Sequence, residues 1–321
     1  MRREPLRSVL LFLTDRCPVE CAHCSVGSLR NSPAITDFPL FEKILDGICG
    51  LSGVELVGVS GGEPFVERRG LTLATERLRG AGKSLVLYTS GVWARTSVPD
   101  WTKKIVSQAG AVFLSTDAYH AKALPDESFV RAARAIRHEG VNLVVQVIRM
   151  PEMVEAAVRL LEEAFGSDWR SDAELSLTPP LPYGRGQDVF KGRKLTVGRE
   201  FGPCPALSAP VVRYDGRATA CCNERVIVGQ GPQRLRSQCA DAGDLSRALD
   251  RWADDSLLRG MASVGPGPLT EHPALKELGD RLFGSVCELC WAATDRMPAE
   301  DRILDSIVKI TEMGVDIAAS G

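Results

Sequence analysis

The stretch VLLFLTDRCPVECAHC, residues 9–24, decides how the rest of the chain is read. Val9 to Leu13 is continuously apolar and of strand length, which fits a strand covered on both faces. Directly after it come Cys17, Cys21 and Cys24, three thiols within eight residues on the loop at that strand's carboxyl end. They can converge on one small object. Three protein ligands are one short of a closed structural zinc site, but they suit a [4Fe–4S] cluster with one iron left open.

Outward from this stretch the pattern repeats. Apolar runs at Val54–Val59, Leu85–Tyr88, Val112–Leu114, Val141–Ile148 and Leu175–Leu177 predict five more strands. Segments of helical period at Phe41–Ile48, Leu71–Leu78, Trp101–Val106, Phe129–Ile136 and Val154–Phe165 lie between them. Buried strands alternating with helices give an α/β fold with a parallel sheet, a partial barrel or a doubly wound sheet, and ligands sit at the strands' carboxyl ends. Pro179–Gly198 breaks the period. Beyond it, Asp215-Gly216 predicts a β-hairpin. Leu245–Trp252, Ala274–Phe283 and Glu300–Met313 read as helices, and Gly260–Leu269 as a loop.

Composition excludes other classes. The 321 residues are 44% hydrophobic and 25% charged, ordinary for about two globular domains and unlike a collagen, coiled coil or disordered chain. A net charge of −2 gives no footprint for nucleic acid or for an anionic membrane. The apolar run Val9–Leu13 is too short for a signal peptide, and no stretch approaches a membrane span, so a cytoplasmic protein is expected. Ten cysteines in clusters point to metal or catalysis rather than to a disulfide scaffold.

The C-x3-C-x2-C spacing resembles the radical S-adenosylmethionine (radical SAM) superfamily. Its companions strengthen the resemblance: Ser60-Gly61-Gly62-Glu63-Pro64 after the second strand, Thr89-Ser90-Gly91 after the third and Ser115-Thr116-Asp117 after the fourth. The family usually has an aromatic residue before the third cysteine, and here His23 stands there as a planar substitute. The resemblance implies that Cys17, Cys21 and Cys24 hold a [4Fe–4S] cluster whose open iron is chelated by S-adenosylmethionine. It implies further cofactor contacts from His23, Gly61, Gly62, Glu63, Pro64, Ser90, Ser115 and Asp117, with Arg149 a candidate for the methionine carboxylate.

A second set, Cys204, Cys222, Cys287 and Cys290, offers four thiolates. With Asp215-Gly216 and Gly243-Asp244-Leu245 it resembles the auxiliary-cluster domain of SPASM/Twitch enzymes, and the cysteine count points to the one-cluster Twitch type. Structural zinc satisfies the same count. Cys221 competes with Cys222, adjacent strand residues facing opposite ways; the spacing from Cys204 favours Cys222. His120 and Arg185 are candidates to touch substrate, the first beside the barrel mouth and the second between the domains.

The expected architecture is thus a partial (β/α)6 TIM-like barrel over residues 5–190, a small Twitch-type β-hairpin plus helix domain over 195–292, and a C-terminal helix and tail over 293–321. The resemblance implies an enzyme that cleaves S-adenosylmethionine and abstracts hydrogen from a ribosomally made precursor peptide, by cross-linking, epimerisation or oxidation. It implies a flavodoxin or ferredoxin as electron donor and, since the chain starts at its first strand, a separate leader-binding protein. The alternatives are dehydrogenation of a small molecule such as an amino sugar, or a non-catalytic metal-binding protein.

Overall fold

The computed structural model describes residues 6–121, 123–192 and 194–319, so residue 5 and the last two residues of the expected tail lie outside it. Its first half is β1 (Ser8–Phe12), α1 (Phe38–Gly50), β2 (Leu56–Ser60), α2 (Arg68–Gly80), β3 (Ser84–Thr89), α3 (Asp100–Val106), β4 (Ala111–Ser115), α4 (Ala118–Ala121), α5 (Asp126–His138), β5 (Asn142–Ile148), α6 (Pro151–Phe165) and β6 (Ala173–Thr178). β1 to β6 pair parallel in sequence order. Pairing of this kind needs a crossover between strands, and a helix supplies each one.

The two faces of the sheet differ. Val9 and Leu11 of β1, Val57 and Val59 of β2, and Leu85 and Leu87 of β3 are at most 1% exposed and pack with Phe41, Ile44 and Ile48 of α1 and Leu71 and Leu78 of α2. Each such side chain contributes about 1.5–3 kcal/mol of burial. The opposite, inner face carries larger and more polar groups. A Cβ on Gly58 would sit 2.9 Å from Leu10 Cδ1 and 3.2 Å from Tyr88 Cε2, and Tyr88 stacks on Phe113 at 4.8 Å.

The second half is α7 (Gly186–Val189), β7 (Thr196–Val197), β8 (Val211–Arg213), β9 (Arg217–Thr219), α8 (Glu224–Ile227), β10 (Arg236–Gln238), α9 (Ala242–Asp254), α10 (Ser256–Ser263), α11 (Pro266–Leu269), α12 (Lys276–Asp280), β11 (Leu282–Phe283), α13 (Val286–Thr294) and α14 (Arg302–Ala319). The hairpin expected at Asp215-Gly216 is present, with Gly216 at φ 80°. It does not stand apart. β8 pairs parallel with β1, so one nine-stranded sheet runs β10-β9-β8-β1-β2-β3-β4-β5-β6 across both halves.

Two local expectations are corrected. Gly260–Leu269 is not a loop but the end of α10 and the whole of α11. Glycine occupies position 260 of that helix because a Cβ there would meet Leu269 Cδ2 at 2.7 Å and Val308 Cγ2 at 2.8 Å. Ala274–Phe283 is not one helix: α12 stops at Asp280, and Leu282–Phe283 pairs with β7. No helix among the described residues is long and apolar enough to cross a membrane.

Candidate cluster sites

The loop after β1 is shaped by backbone contacts from three directions. Gly62 N donates to Thr14 O at 2.6 Å and Glu63 N to Arg16 O at 2.8 Å, while Cys17 N donates to Leu29 O at 2.9 Å. A Cβ on Gly62 would lie 2.4 Å from Arg16 O, and one on Gly61, at φ 152°, would lie 2.6 Å from Thr14 O. The glycine pair after β2 is therefore required for the cysteine loop to close against the sheet. Cys17 and Cys21, each 9% exposed, share a small apolar cluster with Val19 and Leu124, and Cys24 N closes the turn onto Cys21 O at 3.2 Å.

Arg185 completes the clamp. Its backbone N–H donates to Cys24 O, its Nε to Cys21 O and its Nη2 to Ser28 O, each at 3.0 Å. The glycines beside it fit the same purpose: a Cβ on Gly184 would be 2.5 Å from Cys24 O, and one on Gly186 3.0 Å from His23 O. The side chain expected to touch substrate is thus engaged by the cysteine loop, as a positioning residue.

Glu63 is 1% exposed and accepts four hydrogen bonds. Oε1 takes Phe65 N at 3.1 Å and Thr89 Oγ1 at 2.9 Å, and Oε2 takes Ser90 N at 2.8 Å and Ser90 Oγ at 2.6 Å. Burial pushes its carboxyl up, against these donors. Pro64 follows it in a short 3₁₀ turn. The motifs after β2 and β3 are joined by this one carboxylate. Ser90, Ser115, Thr116 and His120 line one small pocket beside it with Phe129. Arg149 is exposed and reaches Leu177 O at 3.4 Å, at the end of β6.

Asp117 is 6% exposed and is directed to two histidines. Its Oδ2 lies 2.8 Å from His120 Nδ1 and 3.5 Å from His23 Nε2. Ligand atoms of these three side chains all lie within 4.8 Å of one another. Burial lowers the imidazole of His120, but the Asp117 carboxylate beside it outweighs this and raises it to about 10. Burial holds His23 below its ordinary value. Sequence reasoning treated His23 and His120 separately. Asp117, expected as a cofactor contact, is the partner that joins them.

The second set of thiols is gathered from three segments. Cys204 N donates to Met261 O at 2.8 Å, and Cys222 N to Ala206 O at 3.1 Å, which brings the end of the hairpin against the turn after Cys204. Cys287 and Cys290 occupy the first turns of α13 at i, i+3 spacing, on one face. Asn223 Nδ2 donates to Cys287 Sγ at 3.2 Å. Burial raises Cys221 and Cys287 to about 12 and Cys222 to about 11, and holds Cys290 well above its ordinary value. The other thiols acting on Cys290 are Cys221, Cys204 and Cys287.

The adjacent cysteines differ in their surroundings. Cys221 is buried near Cys204, Cys287 and Cys290, whereas the half-buried Cys222 packs against Phe12, Val211 and Ile227, lies near Tyr88 of the inner sheet face and is also near Cys204 and Cys287. Cys49, half-buried in α1, donates to Arg77 O at 3.6 Å, and Cys239 is wholly buried; both lie apart from the two sets.

Buried thiols that stay protonated and gathered with other thiols suit metal coordination, because an iron or zinc ion deprotonates its ligand thiols outright. The second donor set therefore suits an iron–sulfur cluster, and Cys17, Cys21 and Cys24 offer three thiols for another; among the described residues no three cysteines bring their sulfurs within 4.8 Å of one another, wider than the ~3.8 Å that a tetrahedral zinc requires.

No protein-family model matches the chain. Among solved structures it resembles Streptococcus suis SuiB bound to S-adenosylmethionine, with TM-score 0.54 and 14% identity, over 81% of this chain and 68% of that one. SuiB bound to the precursor peptide SuiA gives 0.55 and 16%, over 81% and 67%. anSMEcpe with bound AdoMet and the Cp18Cys peptide gives 0.53 and 15%, over 76% and 80%. The chain shares the α/β fold of these structures, a partial barrel with an open sheet.

Proposed function

We propose that the protein is a radical SAM enzyme. The observation that carries this reading is the junction of the three-cysteine loop with Gly61–Pro64 and Thr89–Ser90 at the carboxyl ends of β1, β2 and β3. Cys17, Cys21 and Cys24 would hold the [4Fe–4S] cluster, with Ser90, Ser115 and Arg149 near the S-adenosylmethionine. When bound, this pair supplies the 5′-deoxyadenosyl radical that abstracts hydrogen from substrate. The chain's own part is to fix the cluster loop through Gly62 and Arg185, and to exclude water beneath it with Cys17, Val19, Cys21 and Leu124.

The second site would hold an auxiliary iron–sulfur cluster that accepts the substrate's remaining electron or orients the substrate. Its ligands in this reading are Cys204, Cys221, Cys287 and Cys290. Cys221 takes the place the spacing gave to Cys222, because it is near enough to act on Cys204, Cys287 and Cys290, whereas of these three Cys222 acts with Cys204 and Cys287 alone. The favoured substrate is a ribosomally made peptide, supported by the fold shared with SuiB, which binds SuiA, and with anSMEcpe, which binds Cp18Cys.

Iron, sulfide and zinc per chain after anaerobic reconstitution test both sites. About eight iron is expected, about four in Cys221→Ser and about eight in Cys222→Ser. About four iron with one zinc makes the second site structural, and a chain that holds no iron overturns the proposal.

A further inference from the structure

The segment that leaves the hairpin carries one buried amide whose two ends have different partners. Asn223 is 5% exposed and caps α8: its Oδ1 accepts the N–H groups of Arg225 at 3.1 Å and Val226 at 3.3 Å. Backbone N–H groups can meet only the oxygen of a side-chain amide, so these two bonds settle which end is Nδ2. Nδ2 then lies 3.2 Å from Cys287 Sγ, at the start of α13, and donates to it. Val226 and Ile227, both buried, anchor α8 itself. The amide therefore cannot turn away from the sulfur without giving up its cap.

We infer that Asn223 is a positioning residue for the second site: its side-chain N–H donates to the Cys287 sulfur and raises the potential at which the auxiliary cluster is reduced. The inference rests on one part of the proposed function, an iron–sulfur cluster with Cys287 among its ligands, and not on the radical site. A ligand sulfur gains negative charge when its cluster is reduced, so a donor to it stabilises the reduced form more than the oxidised form. Burial of the amide strengthens the bond, since little water reaches the donor. A raised potential suits a site that accepts an electron left on substrate. The residue type fits both tasks. Aspartate and serine cap a helix about as well, but of the three only asparagine carries an N–H beside its capping oxygen. The cap alone does not require asparagine; the sulfur does.

The test is the midpoint potential of the second cluster in the reconstituted full chain, followed by the EPR signal that S-adenosylmethionine leaves unchanged. The proteins compared are wild type, Asn223→Ser and Asn223→Asp, each with its iron and zinc content; both variants keep a capping oxygen and remove the N–H. Asn223→Ser is expected to make reduction about tenfold less favourable, ~59 mV more negative for a one-electron couple. Asn223→Asp is expected to shift at least as far, because its carboxylate turns a negative oxygen toward the sulfur. An unchanged potential in Asn223→Ser at equal iron overturns the inference. If Asn223→Ser loses the second cluster, Asn223→Asp decides: a negative shift supports the inference, and the wild-type potential overturns it. Loss of that iron from both variants makes Asn223 a structural cap and overturns it too. A wild-type second site that holds zinc, or no metal, overturns the inference while 5′-deoxyadenosine formation still upholds the radical site. A chain that forms no 5′-deoxyadenosine yet holds the second cluster fails the radical reading and leaves this titration to decide as before.

Discussion

Replacing Arg213 by methionine tests whether the two halves of the chain are held together through one buried cation. Arg213 ends β8, the strand that joins the hairpin to β1, and is 1% exposed. Its Nη1 and Nη2 reach the two oxygens of Asp15 at 3.0 and 2.7 Å, and its Nε and Nη2 reach those of Asp215 at 3.3 Å. Phe12 lies under the guanidinium at 4.9 Å, and Tyr214 OH donates to Asp15 at 2.8 Å. Methionine keeps much of the stem but leaves two carboxylates without their shared partner. Breaking a buried pair costs about 3–5 kcal/mol. Asp215 keeps Arg217 at 2.6 Å and Asp15 keeps Tyr214, which puts the expectation near the lower end. A loss of about 3 kcal/mol corresponds to a fall in melting temperature of roughly 6–12 °C, at about 2–4 °C per kcal/mol. Thermal and urea unfolding of the apo chain measure it, and Asp15→Leu completes a double-mutant cycle with an expected coupling above about 1 kcal/mol. A loss under about 0.5 kcal/mol, or strictly additive variants, would refute the argument.

Other changes probe the same framework. Gly62→Ala puts a methyl 2.4 Å from Arg16 O, backbone that cannot yield; the radical-site iron, about four per chain, should be lost while the second site keeps its own. Arg185→Lys replaces a fork by a single point donor that cannot serve both Cys21 O and Ser28 O. Amide exchange over residues 21–28 should then speed up about tenfold, and an unchanged rate argues against the clamp. Asp215 gives a pH test: burial raises its carboxyl, but Arg217 and Arg213 outweigh that and hold it below the ordinary value. Its contribution is complete above the unfolded value near ~3.9 and fades as pH falls through the lower folded value. Asp215→Asn should therefore be less stable at pH 7 and show a shallower loss between about pH 4 and 2.

Much of the barrel was legible because its strands are covered on the helix side and its helices are amphipathic. Val9–Leu13 and Val141–Ile148 reappear within a residue or so as β1 and β5. The Cys17–Cys24 loop and Gly61–Pro64 were legible because they are contiguous and sit at strand ends. What escaped depends on tertiary contact. The parallel pairing of β8 with β1 leaves no local signal, since three residues of strand look alike at an edge or in a sheet. Gly260 reads as a loop residue until Leu269 and Val308 are seen against it. Arg185 reads as a surface or substrate group, and only the fold brings it to Cys21 and Ser28. The proposed preference for Cys221 over Cys222 depends on contacts with Cys290, on a distant helix, that no local spacing encodes.

The most direct measurement of the central claim is 5′-deoxyadenosine formed from S-adenosylmethionine by the reconstituted, reduced protein, compared with Cys21→Ala. Formation by the wild-type chain and none by the variant is the predicted result. A wild-type protein that carries its full iron yet releases no 5′-deoxyadenosine, or a variant that releases as much, would contradict it.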